Sequence, residues 1–211
     1  MNYQTLIFDF DGTIADTLEE SRKIFNEIAP DYGIRQVDRE EIDNLRHLSL
    51  KELLAHLEIP KRKVPVFIAR GTGMMRRNIE SLPLIPGIGE VLRELRPQVK
   101  GFGILTSNST PNVELFLESH GLRDLFDFIS STSKLTGKAR HLRAIRKTFS
   151  LRPEEMLYVG DEIRDIKAAR KARISIAAVA WGFNSREALA AEGPELVFSK
   201  PQELLGLLAL P

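Results

Sequence analysis

The chain has 211 residues, enough for one sizeable domain or for a core with a small unit inserted into it. Its 30 basic and 29 acidic residues nearly cancel, so no overall field draws it to nucleic acid or an anionic membrane, and any anion site must be local. The absence of cysteine excludes disulfides, thiolate metal centres and cysteine nucleophiles. No apolar run spans a bilayer and no basic segment precedes the first strand-like run, so a soluble cytoplasmic protein is expected.

Tyr3 to Phe8 reads as a short buried strand ending abruptly at Asp9-Phe10-Asp11-Gly12-Thr13. From Thr17 to Leu82 the pattern predicts short helices and no strand. Leu18, Ile24, Phe25 and Ile28 recur at helical spacing, and Asp38 to Glu41 and Ser49 to Glu52 have the form of capping boxes. Pro83 and Pro86-Gly87 mark a hinge. Helix and strand then alternate: a helix over Gly87 to Arg96, a strand over Gly101 to Thr106, and a helix opened by Thr110-Pro111 and closed by Gly121. A strand over Asp127 to Ser130, an amphipathic helix carrying Leu142, Ile145 and Phe149, and a strand over Met156 to Val159 follow. The chain ends with a helix over Ile163 to Ala172, strands over Ile174 to Ala180 and Leu196 to Phe198, and a helix from Pro201. Such alternation predicts an α/β fold with a doubly wound, parallel, Rossmann-like sheet, whose ligands gather at the carboxyl ends of the strands. Residues 1–16 and 83–211 are expected to form this core, and 17–82 a small all-helical cap inserted after the first strand.

Three strand ends carry chemistry. Asp9 and Asp11 follow the first, Ser107 and Asn108 the second, and Asp161, Glu162 and Asp165 the fourth. Carboxylates crowded at one sheet edge repel one another unless a cation sits among them, and hard oxygen ligands point to magnesium. Asp9 and Asp11 alternate along an extended backbone, so both carboxylates share a side while Phe10 points inward. Gly12 permits a sharp turn close to an anion, and Thr13 adds a hydroxyl. Such a pair can divide the labour between an attacking carboxylate and a proton donor.

These residues resemble the motifs of the haloacid dehalogenase-like hydrolase superfamily, and within it the phosphoglycolate phosphatase-like group. Asp9-Phe10-Asp11-Gly12-Thr13 is similar to the first motif, Thr106-Ser107-Asn108 to the second, and Gly160-Asp161-Glu162 with Asp165 to the fourth. Lys138, in Thr136-Gly137-Lys138, is the better match to the third, with Lys134 close by. The resemblance implies a magnesium-dependent phosphatase acting on a small phosphorylated metabolite. Asp9 would be the nucleophile and Asp11 the acid and then the base. Magnesium would be held by Asp9, the Asp11 carbonyl and Asp161, with Glu162 or Asp165 orienting ligands, while Gly12, Thr13, Ser107, Asn108 and Lys138 bind the substrate. Asp11 favours phosphate-ester chemistry over dehalogenation, because an alcohol that leaves needs a proton. A phosphomutase shares this signature, and a metal-binding protein without turnover is the rival from another class.

Arg46, Lys51, Arg70, Arg76 and Arg77 are available to meet an acidic substrate tail, although each also reads as a solvated helix face. His47, His56, His120 and His141 lack metal-like spacing. Trp181-Gly182-Phe183-Asn184 reads as packing and loop support.

Overall fold

The computed structural model describes residues 3–132 and 137–209; Lys134 lies outside them. The chain leaves β1 (Thr5–Phe8) and enters a helical segment made of α1 (Leu18–Ile28), α2 (Ile42–Leu45), α3 (Leu50–His56) and α4 (Val64–Met75), joined by short 3-10 turns. Both capping boxes are present: the Glu41 carboxylate accepts from the Asp38 N–H at 3.1 Å, and that of Glu52 from the Ser49 N–H at 2.8 Å. Each side chain thereby satisfies a backbone donor that the helix start leaves unpaired. Phe67 of α4 packs on Phe25 of α1 and on Tyr32, with ring centroids 5.7 and 5.1 Å apart.

Two short chain segments link this insert to the rest. The N–H of Asp16 donates to the Pro83 carbonyl and that of Ile85 to the Ile14 carbonyl, both at 2.9 Å. The outgoing and returning strands of chain are therefore clasped to each other at the insert's base.

Beyond the insert come α5 (Ile88–Leu95), β2 (Gly101–Thr106), α6 (Thr110–Ser119), β3 (Phe128–Ser131), α7 (Lys138–Thr148), β4 (Met156–Gly160), α8 (Ile163–Ala172), β5 (Ser175–Val179), α9 (Arg186–Ala191) and β6 (Leu196–Phe198). The described strands form one parallel sheet in the order β3-β2-β1-β4-β5-β6. The core is the expected doubly wound α/β sheet. In register, Leu6 lies between Phe102 and Leu157, and Phe8 between Ile104 and Val159. Because side chains alternate along a strand, Leu6 and Phe8 join the core beneath α5 and α6, whereas Ile7 joins Leu105, Tyr158, α7 and α8 on the opposite face. Full burial on both faces explains why these strands are continuously apolar. Each such side chain contributes about 1.5–3 kcal/mol relative to exposure. Ile24 and Ile28 of α1, with Met75 and Ile79, extend the first core into the insert.

The winding order matters for function. From β1 the chain builds outward to β3, then returns to place β4 on the other flank of β1. Connections on either side of β1 diverge to opposite faces, which opens a crevice at the carboxyl ends of β1 and β4.

Some local expectations shift. β1 starts at Thr5 rather than Tyr3. The cap of α6 is Ser109, extended in backbone and accepting from the Asn112 N–H at 3.4 Å, so Thr110 and Pro111 fill the first turn. The segment from Pro201 is a 3-10 helix, not an α-helix. The short helix α9, capped by Ser185, is an element the periodicity does not signal.

Candidate active site

At the end of β1 the backbone folds on itself: the N–H groups of Thr13, Ile14 and Ala15 all point at the Phe10 carbonyl, within 2.9–3.2 Å. This tight loop buries Phe10, which packs edge-on against Phe116, and leaves the flanking carboxylates at the crevice. Gly12 takes a φ of +74°, a conformation that disfavours any side chain. A Cβ there would also lie 2.3 Å from a carboxylate oxygen of Asp161, so the glycine is what allows the β1 and β4 ends to meet.

Side-chain hydrogen bonds join the strand ends. Thr13 donates its hydroxyl to Asp161 Oδ1 at 2.8 Å, tying β1 to β4. Asn108, after β2, donates from Nδ2 to both carboxyl oxygens of Asp11, at 3.2 and 3.1 Å. Lys138, the first residue of α7, is 2 % exposed and donates to Asp9 Oδ2 at 2.5 Å and to Asp165 Oδ1 at 2.7 Å. Asp9 Oδ1 accepts from the Phe10 N–H at 2.8 Å. Asp165 further accepts from the Tyr158 hydroxyl at 3.1 Å and from the Glu162 N–H at 3.2 Å. Among the described residues, Thr13 thus meets Asp161, Asn108 meets Asp11, and Lys138 meets Asp9 and Asp165, while Asp11, Ser107, Asn108 and Glu162 line a common cavity.

The loop after β5 supports the site. The Phe183 N–H donates to Asp161 Oδ2 at 2.7 Å, and Trp181 Nε1 donates to the Thr13 carbonyl at 3.1 Å. Asn184 accepts from the Ile163 N–H at the start of α8 and donates to the Arg46 and Leu48 carbonyls of the insert, each at 2.9 Å. Beyond packing, this turn orients Asp161 and docks the insert.

The electrostatics are severe. Burial pushes the Asp9 carboxyl up to about 7, against the pull of the Lys138 ammonium. Burial also raises Asp161 well above the usual carboxylate range, and the charges of Glu162, Asp9 and Asp165 raise it further. Asp11 is raised by burial too, against its hydrogen bonds from Asn108. Asp165 is lowered: burial opposes its charge, but Lys138 and Arg164 outweigh that cost.

A divalent cation fits this donor set. Carboxylate oxygens of Asp9, Glu162 and Asp165 lie within 4.8 Å of one another; Asp161, which the resemblance names as a ligand, is fully buried and falls outside this group, its two oxygens accepting from Thr13 and Phe183. Hard anionic oxygens whose mutual repulsion and burial keep protons bound are what a hard cation would stabilise.

The sequence did not single out two contributors. Arg164, in the first turn of α8, donates Nη2 to Glu162 and, at 3.3 Å, to the Ser107 hydroxyl. A cation at a helix N-terminus runs against the helix dipole, and that mismatch was the available signal. Asn112, fully buried in α6, donates Nδ2 to Asn108 Oδ1 at 3.0 Å and to the Thr72 carbonyl of α4 at 3.2 Å, linking the insert to the partner of Asp11. Most of the insert cations serve elsewhere: Arg46 donates to the Ala180 carbonyl, Arg70 pairs with Asp31, and Lys51 and Arg77 are exposed, whereas Arg76 lines a neighbouring groove that also contains Ser107 and Asn108. His47, exposed, bonds with the Ser185 hydroxyl, and His141 with that of Ser130. No helix among the described residues is long and apolar enough to cross a membrane.

Comparison with known proteins places this crevice in context. The model of the haloacid dehalogenase-like hydrolase family matches residues 6–179. A phosphoglycolate phosphatase from Synechococcus elongatus is 35% identical over 202 residues, covering 96% of this chain and 95% of that protein. The pyrophosphatase PpaX from Bacillus cereus is 28% identical over 213 residues, covering 99% and 98%. A haloacid dehalogenase-like family hydrolase from Streptococcus pneumoniae superposes with a TM-score of 0.82 at 23% identity, covering 98% of this chain and 99% of that one, which speaks to the fold alone.

Proposed function

Because this chain belongs to the haloacid dehalogenase-like hydrolase family and is an enzyme of its phosphatase kind, we propose that it is a magnesium-dependent phosphatase that removes phosphate from small phosphorylated metabolites through an aspartyl-phosphate on Asp9. The observation that carries the reading is the stitching of β1, β2, β4 and α7 by Thr13, Asn108 and Lys138, which brings a nucleophilic carboxylate, a raised carboxyl and a buried ammonium to one crevice.

Asp9 attacks phosphorus with one carboxylate oxygen, and the bond from phosphorus to the leaving oxygen breaks. Asp11, whose neutral form burial favours, protonates that oxygen. Water then attacks the phosphoenzyme, Asp11 takes its proton, and the bond between Asp9 and phosphorus breaks, returning both residues to their starting states. Ser107, Asn108, the backbone at Gly12 and Thr13, and Lys138 hold the equatorial oxygens, where charge spreads during transfer. Magnesium, when bound, supplies the positive charge that offsets the crowded carboxylates and polarises the phosphoryl oxygens. Asp9, the Asp11 carbonyl and Asp161 are its proposed ligands, and Glu162 and Asp165 orient them and their waters.

In this reading residues 17–82 are a cap over a core of 1–16 and 83–211, and the paired segments at its base act as the hinge. The relatives are named for phosphoglycolate and pyrophosphate, which supports a compact substrate. A cysteine-free chain suits the cytoplasm as the working compartment.

The test is phosphate release from an aryl phosphate by purified protein as magnesium is titrated. Release that requires the metal is expected. A folded sample inactive at every divalent-metal concentration would instead be a binding protein.

A further inference from the structure

We infer that Arg164 binds a second anionic group, on the leaving portion of the substrate, so that the preferred substrates carry a carboxylate or phosphate close to the phosphoryl group being removed; this rests on the phosphatase reading above. The cavity bounded by Asp11, Ser107, Asn108, Glu162 and Arg164 has a volume of about 370 Å³, enough for a small metabolite. The insert closes it with apolar side chains, among them Ile24, Phe25, Phe67 and Met75. Arg164 is the one cation on its wall among the described residues. Every basic residue of the insert that a charged tail was expected to find lies off that wall.

The guanidinium is held but not satisfied. Nη2 is committed to Glu162 and Ser107, while Nε and Nη1 are shielded from solvent and donate to no protein group among the described residues. Buried charged donors without acceptors are costly, and an oxyanion in the cavity that Arg164 lines becomes their acceptor when the guanidinium turns toward it. Lys138 is assigned to the transferred phosphoryl group beside Asp9: its ammonium is shared by Asp9 and Asp165, and it is not among the residues that line this cavity. Acidic Asp11 and Glu162 on the same wall would repel a second anion, so recognition of one falls to Arg164. The fork of an arginine suits either a carboxylate or a phosphate.

The experiment compares kcat/KM for phosphoglycolate, with a carboxylate tail, for pyrophosphate, with a phosphate tail, and for 2-hydroxyethyl phosphate, a neutral counterpart of the first. The wild type is expected to favour at least one anionic substrate over the neutral ester by about tenfold or more. Arg164→Gln should reduce that preference to near parity, and Arg164→Lys should retain part of it. A wild type with no preference for either anion overturns the inference, and that result needs no variant to fold. An equal loss for anionic and neutral substrates in Arg164→Gln overturns it too, since the residue would then serve the transferred group or the structure. Aryl phosphate turnover by the wild type separates the two levels: activity there without anion preference sinks this inference alone, and no activity there sinks the parent reading with it.

Discussion

Asn108 reaches across from the end of β2 and donates one amide nitrogen to both carboxyl oxygens of Asp11, at 3.2 and 3.1 Å. The contact fixes the orientation of Asp11, while burial keeps its carboxyl raised. A carboxyl so placed is a proton donor to a leaving oxygen. Asp11→Asn is therefore expected to cut turnover of alkyl phosphates by about a hundredfold or more. Aryl phosphates, whose leaving groups need less protonation, should lose much less. Rates for a series of esters of graded leaving-group acidity measure this; a uniform loss across the series would rule out proton donation by Asp11.

Asp9→Asn removes the nucleophile and keeps the shape. Lys138 retains its ionic partner Asp165 at 2.7 Å, so no buried charge is left wholly unpaired. Turnover is expected to disappear while the circular dichroism spectrum and the cooperative thermal transition persist. Activity within about a hundredfold of the wild type would exclude Asp9 as the nucleophile.

The sequence made the sheet and the strand-end residues legible for a physical reason. Strands buried on both faces must be apolar throughout, so Gly101–Thr106 and Met156–Gly160 stand out, and the polar residues that end such runs mark the crevice. What it could not convey was contact between elements distant in the chain. Phe183 acts through its backbone N–H, which every residue but proline possesses, and Asn112 through bonds to Thr72 and Asn108 that no periodicity encodes. The cap of α6 was misplaced by one residue because Ser109 and Thr110 are both good caps, and only backbone conformation distinguishes them. Charge alone leaves the insert arginines readable either as substrate contacts or as solvated faces, and only the folded chain shows Arg46 donating to the Ala180 carbonyl and Arg70 pairing with Asp31.

Magnesium should stabilise the protein in a pH-dependent manner. The Asp9 carboxyl, raised to about 7 by burial, binds a proton in the folded state that it has lost in the unfolded chain. Without metal, its contribution to stability therefore declines as pH rises from about 4 to about 7, since the folded state must then hold an ionised, desolvated carboxylate. Asp161, also raised, acts in the same direction. Magnesium binds the ionised forms, so the rise in melting temperature on adding it should be small near pH 5.5 and larger near pH 8. Comparing curves with and without the metal cancels the titration of the four histidines, which is common to both. A metal effect that stays constant or shrinks with pH would contradict ligation by these carboxylates.

Gly182→Ala tests how tightly the β5 loop holds Asp161. A Cβ at this position would sit 2.2 Å from Asp161 Oδ2 and 2.4 Å from the Gly12 carbonyl oxygen, so neither neighbour can stay in place. The Gly182 backbone needs no left-handed conformation, which leaves the clash as the sole perturbation. Asp161 would have to rotate away from the Phe183 N–H and the Thr13 hydroxyl that orient it. Losing the groups that orient a ligand weakens metal affinity by about 10–100-fold, and the magnesium concentration for half-maximal activity should rise by that factor. Activity should recover only in part at saturating metal, because the displaced Gly12 carbonyl belongs to the loop that carries Asp9 and Asp11. An unchanged magnesium requirement in a folded Gly182→Ala variant would mean that Asp161 does not hold the ion.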